Sequence, residues 1–586
     1  MKTSTAYLLL PVLAFLGGAV FAAKHMANNH LWGNWPLVLL LGGWMAFILF
    51  NRWLRPPAQE NAGLLWLSIL AGTLLGLGFL FSSPLLFVGF APLMILSERL
   101  EASDSPGKTL LQWSYAFNSF VIWNLVSTYW VANAALIPGL AAFFLNSLFM
   151  TVPWMLMILL GRKLPKWKYA AFAAFWIAFE WNHHVWEISW PWLTLGNGLA
   201  FVPKWIQWYD LTGCFGGSLW ILTINILLAK AFLNPVQRMR LGTAAALIWL
   251  LPVGFGYLKY AQFSPGGQPV EIAVIQPNYE PHYEKFQIDP ADQMTRFENL
   301  SRKVIGPHTQ YLVWPETSFE YLDVDQFGTD WRIQRMRALL AEYPGLRLVT
   351  GIGSLKGFRD GEALTDAARE NTRGGFPRFF EIQNSAIQVS GMDASIPVYV
   401  KSKLVPGVET FPYRRLLPFL KPLVDQLGGS VHGLGRQKER EVFTTGTLKI
   451  APVICYESIY GNYIGDYIRK GAQAIFVMTN DGWWDDTPGY RQHLAFGALR
   501  AIEFRKPIAR SANTGTSCFI TARGDIQQAT EYGKQASLNG SLLFNDHQTF
   551  YQTAGDFIAW FCAAASLCFL IVLLFIVLKA RFSKNR

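Results

Sequence analysis

Charge is scarce in this chain. Of 586 residues only 15% are Asp, Glu, Lys or Arg, whereas 52% are hydrophobic and 15% aromatic. With a mean hydropathy of +0.23, this composition excludes both an ordinary soluble protein and a disordered one. Cysteine is scarce as well. The five residues Cys214, Cys455, Cys518, Cys562 and Cys568 show no paired framework, and no Cys-x-x-Cys or His-x-x-x-His spacing marks a metal site. No metal and no cofactor are therefore expected. Cys455 and Cys518 both fall in strand-like runs, so a disulfide between them is a rival to any thiol chemistry at Cys455. No internal repeat stands out. The one Gly-rich stretch, Gly351-Ile352-Gly353-Ser354, lacks the following helix that a phosphate-binding loop needs.

The abundant residues are apolar, and they are unevenly placed. Long apolar runs fill the chain to about residue 260, a globular pattern covers 266–546, and one more run follows at 557–578. Runs near 20 residues suit a hydrocarbon layer of about 30 Å. Candidate spans are 6–23, 36–51, 64–82, 84–97, 111–131, 138–160, 168–185, 216–233, 242–260 and 557–578. The first run also has features of a cleaved signal peptide. The net charge of +11 and pI near 9.3 raise the question of nucleic-acid binding, and the location of the charge answers it. With the amino terminus inside, the inner loops hold Arg52, Arg55, Arg99, Lys108, Arg162, Lys163, Lys166, Lys168, Lys230, Arg238 and Arg240. The tail adds Lys579, Arg581, Lys584 and Arg586, whereas the short outer loops hold only Lys24 and Lys204. This positive-inside asymmetry places 266–546 on the outer face and leaves no basic patch for a nucleic acid.

Within 266–546, strand-like runs occur at 270–276, 311–315, 346–352, 385–389, 398–401, 448–455, 474–479, 507–511 and 517–521. Helical patterns lie at 290–304, 329–342, 460–470 and 490–505, and 357–377 reads as an exposed loop. The mixture of β-α-β units and hairpin-like pairs predicts a layered α/β sandwich. Three strand ends carry chemistry: Val313-Trp314-Pro315-Glu316-Thr317, Tyr399-Val400-Lys401 and Val453-Ile454-Cys455-Tyr456-Glu457-Ser458. A carboxylate, an ammonium and a thiol brought together can perform acyl transfer, with the thiol attacking a carbonyl, the carboxylate moving protons and the ammonium holding the oxyanion.

These segments resemble the Glu-Lys-Cys triad of the nitrilase superfamily. Further markers are Val274-Ile275-Gln276-Pro277-Asn278, Asn384-Ser385-Ala386, Lys401-Ser402-Lys403-Leu404-Val405-Pro406 and Thr479-Asn480-Asp481-Gly482-Trp483. In the apolar part the markers are Pro191-Trp192-Leu193 with Gly196, and Tyr209 with Gly213 and Gly216-Gly217. A nitrilase-like domain held between several spans and a last one resembles the apolipoprotein N-acyltransferases, from about residue 64 to the tail. The resemblance implies a multi-span α-helical membrane domain plus an α/β nitrilase-like sandwich with α-β-β-α layers. The divisions are 1–63 as extra amino-terminal transmembrane segments, 64–262 as a helical bundle, 266–546 as the catalytic domain, 557–578 as the last helix and 579–586 as a basic cytoplasmic tail.

The resemblance also implies roles: Glu316 as general base, Lys401 as oxyanion stabiliser and Cys455 as nucleophile. Glu409, preceded by Gly407-Val408 where the family has Phe-Gly, matches an acidic residue that orients the lysine. Tyr456 offers a backbone N–H to the oxyanion and Glu457 supports the triad, unless both are structural. Phe286, after Lys285, stands where the family often has Trp and suits an acyl-chain contact. Trp483 and Trp484 suit a lid at the lipid surface or simple packing. Arg500 and Glu503 read as an internal ion pair. The implied partners are a membrane phospholipid as acyl donor and a diacylated apolipoprotein as acceptor, in the bacterial inner membrane with the catalytic domain periplasmic. The alternatives are a membrane-bound amidase or lipid acyl hydrolase with the same triad, and a transporter or scaffold. The latter is disfavoured because ionisable groups within the spans are few, Glu180 being the clearest.

Overall fold

The computed structural model describes residues 9–54, 63–371, 377–393, 395–414, 416 and 432–584. The start of the first expected span, Arg55, residues 372–376 of the expected loop and Arg586 lie outside them.

The apolar part begins with a hairpin of α1 (Leu9–Ala27) and α2 (Trp35–Leu54). It continues through α3 (Leu64–Leu80), α4 (Ala91–Ala102), α5 (Lys108–Thr128), α6 (Leu136–Gly161), α7 (Lys168–Val185), α8 (Tyr209–Leu233) and α9 (Arg238–Gln262). Among the described residues, six helices are long and apolar enough to cross a membrane: α1, α2, α6, α8, α9 and the last helix; α3 is a shorter apolar one. The expected span at 84–97 is not one helix. It breaks into a 3-10 turn at Ser83–Leu85, a short helix Leu86–Gly89 and α4. Pro84 and Pro92 each stand in the first turn of a new segment, where a missing N–H costs nothing. The expected span 216–233 extends back to Tyr209 across a kink at Gly213 (φ 60°, ψ −170°).

The second part is a four-layer sandwich. One sheet runs β14 (Ala536–Phe544), β1 (Gln268–Gln276), β2 (Thr309–Val313), β4 (Arg347–Gly357), β6 (Phe379–Ser390) and β5 (Arg369–Glu370), with β3 (Leu322–Asp323) on β4 and β7 (Val398–Val400) on β6. The other runs β13 (Ile526–Gln527), β12 (Cys518–Ile520), β11 (Ile508–Ala512), β10 (Ala474–Thr479), β9 (Leu448–Ile454) and β8 (Phe443–Thr445). The sheets meet through β1 against β11 and β6 against β9. Helices α10 (Pro290–Arg302) and α11 (Trp331–Ala341) cover the first sheet, and α12 (Gly461–Arg469) and α13 (Pro488–Phe504) the second. Their starts are encoded locally. Asp289, Asp330 and Thr487 each accept an orphan backbone N–H, and Pro290 and Pro488 follow two of them. β10 is buried at every position and apolar up to its last residue, Thr479, as suits a central parallel strand. The expected strands and helices are all present, with ends shifted by up to six residues; β3, β5, β8, β13 and β14 are additions, and β5 lies within the stretch 357–377 expected as a loop. The last helix, α14 (Phe557–Lys584), packs along α7 and returns the chain to the apolar part.

Candidate active site

The three expected residues stand just beyond three strand ends. β2 pairs with β4 in parallel, and the amide of Gly351 donates to the Pro315 carbonyl at 3.1 Å, which lays Glu316 across β4. A Cβ at Gly351 would sit 2.7 Å from the Glu316 Cα. The Gly-rich stretch thus permits a close backbone approach that carries the general-base candidate. β7 runs antiparallel to β6, and the Lys401 amide donates to the Asn384 carbonyl at 2.8 Å. β9 lies beside β10, with Ile454 opposite Met478, so Cys455 emerges next to Thr479.

Lys401 is 1% exposed and Glu316 6%. The Lys401 Nζ donates to Glu316 Oε1 at 3.1 Å and to Glu409 Oε1 at 2.8 Å. The Asn384 amide donates to the same two oxygens, at 2.8 and 3.2 Å. The second Glu409 oxygen accepts the Val405 amide at 2.8 Å, which fixes that carboxylate despite the altered residues before it. Burial works against the Lys401 ammonium, but the Glu316 and Glu409 carboxylates outweigh it and hold the pKa well above the usual lysine value. Cys455 is buried and unpaired, as is Cys518, so the rival disulfide does not exist. Burial, with the Glu316 carboxylate, pushes the Cys455 thiol up; the Lys401 ammonium and a hydrogen bond from Thr479 act in the opposite direction. The resting nucleophile is therefore a protonated thiol, which needs a base beside it.

Glu457 is fully buried and ties the two loops together. It accepts the Ser402 amide at 2.8 Å, the Ile454 amide at 3.0 Å and the Tyr399 hydroxyl at 2.6 Å, together with the Tyr463 hydroxyl. It joins the residue after Lys401 to the residue before Cys455. Tyr456 sends its hydroxyl to the Ser189 carbonyl at 2.9 Å, which anchors the nucleophile loop on the apolar part. Lys285 is buried, with Nζ 3.3 Å from the Glu316 carbonyl, and Phe286 beside it stacks on Trp483 at 6.1 Å and 25°. Trp484 is held differently, edge-on to Trp130 and Trp192. Arg500 donates to Glu503 at 2.8 Å inside α13, an internal pair as expected.

One group behind the nucleophile has no counterpart in the sequence reading. His493 Nε2 lies 3.2 Å from the Cys455 carbonyl oxygen and 2.9 Å from Ser458 Oγ, while Nδ1 lies 2.9 Å from Asp481 Oδ1. Arg510 donates to the other Asp481 oxygen at 2.6 Å. Burial would raise the Asp481 pKa, but Arg510 and His493 hold it below the usual range; burial and Arg510 keep the imidazole pKa low. Asp481 belongs to a noted motif, but a histidine 38 residues beyond Cys455 on an ordinary helix carries no local signal.

A thiol, a paired ammonium and a carboxylate at strand ends of an α-β-β-α sandwich, carried on apolar helices, define a membrane-attached enzyme of the nitrilase superfamily. The sequence comparisons agree: residues 271–541 match the carbon-nitrogen hydrolase model, and residues 71–227 match the apolipoprotein N-acyltransferase N-terminal domain. With both domains in this order, the chain belongs to the apolipoprotein N-acyltransferase family. The apolipoprotein N-acyltransferase of Chlorobaculum tepidum is 26% identical over 85% of this chain and 94% of its own. That of Geobacter metallireducens is 27% identical over 85% and 93%. Among solved structures, Saccharomyces cerevisiae Nit3, a member of branch 10 of the nitrilase superfamily, aligns with 48% of this chain and 92% of its own, at 16% identity and a TM-score of 0.34.

Proposed function

We propose that this protein moves a fatty acyl chain from a membrane phospholipid, through a thioester on Cys455, to the α-amine of the lipid-modified amino-terminal cysteine of a lipoprotein. The observation that carries this reading is the Lys401 ammonium, buried between Glu316 and Glu409 beside an unpaired thiol. Glu316 takes the Cys455 proton as sulfur attacks the ester carbonyl. Lys401 and the Tyr456 backbone N–H receive the oxyanion. As the tetrahedral adduct collapses, Glu316 returns the proton to the departing lysophospholipid and the thioester remains. In the second half the amine attacks the thioester, Glu316 accepts its proton, and the thiol is restored with the amide formed. The thioester retains enough reactivity for amide formation, so the chemistry calls for no nucleotide.

Both substrates are anchored in lipid. A domain tethered by helices on both sides of its sequence is suited to meet them at headgroup depth. The basic inner loops support an inner-membrane protein with the catalytic domain in the periplasm. The expected divisions at 64–262, 266–546 and 557–578 follow the same reading.

The test uses phospholipid with a radiolabelled acyl chain, with and without a diacylated peptide. Label is expected on the peptide, and a labelled Cys455 peptide is expected when acceptor is omitted. Cys455→Ser should abolish both while the protein stays folded. Free fatty acid as the only product would establish the hydrolase alternative.

A further inference from the structure

The hairpin of α1 and α2 lies outside both matched family regions, which begin at residue 71. It is joined to the bundle through Trp44, whose indole donates to Asn118 at 2.9 Å and meets Phe117 edge-on. Its tip, residues 28–34, reaches the catalytic domain. The Gly33 amide donates to Asp485 Oδ2 at 2.8 Å. The Asn133 amide donates both to the Gly33 carbonyl at 3.0 Å and to the Trp484 carbonyl at 3.1 Å. Tyr129 closes the far side through a 2.5 Å bond to Asn34, and the His30 ring lies 6.3 Å from that of Tyr283.

These contacts fall on the two segments that border the triad. One carries Tyr283, Lys285 and Phe286 and touches Glu316 through Lys285; the other carries Asp481 to Asp485 and touches Cys455 through His493. Asp485 is itself unusual. Its φ of 56° and ψ of −174° lie in a region that is essentially restricted to glycine. A residue there persists only where its surroundings hold it, and the Gly33 amide is one of the groups that do so.

We propose that the hairpin tip is a fixed wall of the acceptor's approach to Cys455, with Gly33, Asn133 and Asp485 as positioning residues that hold the Trp483-Trp484 loop. The inference rests on the acyl-transfer reading above. In that reading the donor presents an ester at headgroup depth and its chains stay in lipid. The acceptor amine is attached to a polypeptide that must lie outside the bilayer, on the face where the tip meets the domain. A wall there borders the acceptor's peptide and leaves the donor's acyl chain untouched.

The full-length protein in phospholipid–detergent micelles separates the two halves. Acyl-enzyme formation is followed by the mass of the Cys455 peptide without acceptor, and transfer is followed with a diacylated peptide. Asp485→Gly suits the backbone and removes the carboxylate. It is expected to raise KM for the diacylated peptide about tenfold, the scale of one charge-assisted hydrogen bond, with acyl-enzyme formation unchanged. Asp485→Asn keeps an oxygen for the Gly33 amide and tolerates positive φ, and should restore most of the loss. Asn133→Ala should act in the same direction, and less than additively with Asp485→Gly, because both loosen the same joint between Gly33 and the Trp484-Asp485 segment. Wild-type KM in Asp485→Gly and Asn133→Ala would overturn the wall, as would an equal loss in both half-reactions. A wild-type protein that forms no acyl-enzyme would overturn the acyl-transfer reading first and the wall with it, so the two failures are told apart.

Discussion

The imidazole of His493 lies 3.2 Å from the carbonyl oxygen of Cys455, within a buried row that continues through Asp481 to Arg510. Cys455 needs such support because its backbone is left-handed, with φ of 46°, a conformation that a non-glycine residue adopts only at a cost. The row holds the carbonyl, and Ser458 donates to the same oxygen at 2.7 Å. His493 never reaches the reacting atoms, so it is a positioning residue. His493→Ala is expected to lower kcat about 10²-fold through misplacement of the sulfur, with KM for phospholipid unchanged. His493→Gln, which can still reach the carbonyl, should recover part of the rate. Equal effects of both substitutions on KM and kcat would assign the histidine to general packing.

Lys401 is neutralised twice, by Glu316 and by Glu409. Replacement by Met leaves two buried carboxylates facing one asparagine amide. Lys401→Met is expected to cost about 3–5 kcal/mol of stability, as for other broken buried ion pairs, and to reduce acyl transfer at least 10²-fold, roughly the loss of an oxyanion donor. Adding Glu409→Gln removes one of the stranded charges. Thermal unfolding of Lys401→Met/Glu409→Gln should therefore rise toward wild type while activity stays lost. A double variant no more stable than the single one would show that the carboxylates do not strain each other.

Glu457 bridges the loops of Lys401 and Cys455 by accepting the Ser402 and Ile454 amides. Glu457→Gln keeps the shape but replaces one acceptor oxygen by a donor that faces other donors. The expected cost is about 1–3 kcal/mol, the penalty of a buried group left unpaired, read as a lower unfolding temperature in detergent. The rate should fall with it, because the distance between ammonium and sulfur is no longer set. Glu457→Gln with wild-type stability would remove the bridge from the account.

The fold class and the triad were legible because each rests on local pattern. The apolar strands before Glu316, Lys401 and Cys455 are short, β-branched and bounded by turn residues, whereas the caps Asp289, Asp330 and Thr487 are seen only in the structure. Other features depend on contacts distant in sequence. β14 has a Gly and an Asn in its middle and only a few buried positions, so no apolar run announced it; its partner β1 makes it a strand. The run at 84–97 is apolar throughout and was read as one span, but hydropathy does not register the breaks at Pro84 and Pro92. His493 is brought to Cys455 by α13 packing under the nucleophile turn, and Asp481 by the pairing of β10 with β9. Gly351, read only as a failed phosphate loop, is needed because another strand's end crosses it.

Lys285 offers a pH test of the same corner. It is buried against the Glu316 carbonyl. Burial lowers its pKa to about 8 from 10.5, with the Glu316 and Glu320 carboxylates opposing the shift. Between about pH 8 and 10.5 the unfolded chain holds a proton that the folded chain has released. Unfolding then takes up a proton, so stability rises as pH is raised through that window. Below about pH 8 both states are charged and the unfavourable burial is felt in full. Lys285→Met removes the titration. The unfolding temperature of the variant should exceed that of wild type most near neutral pH, and the gap should narrow as pH approaches the unfolded value. A gap that stays constant across the window would mean that the ammonium keeps its ordinary affinity for the proton, and that its contact with Glu316 is as well solvated as a surface one.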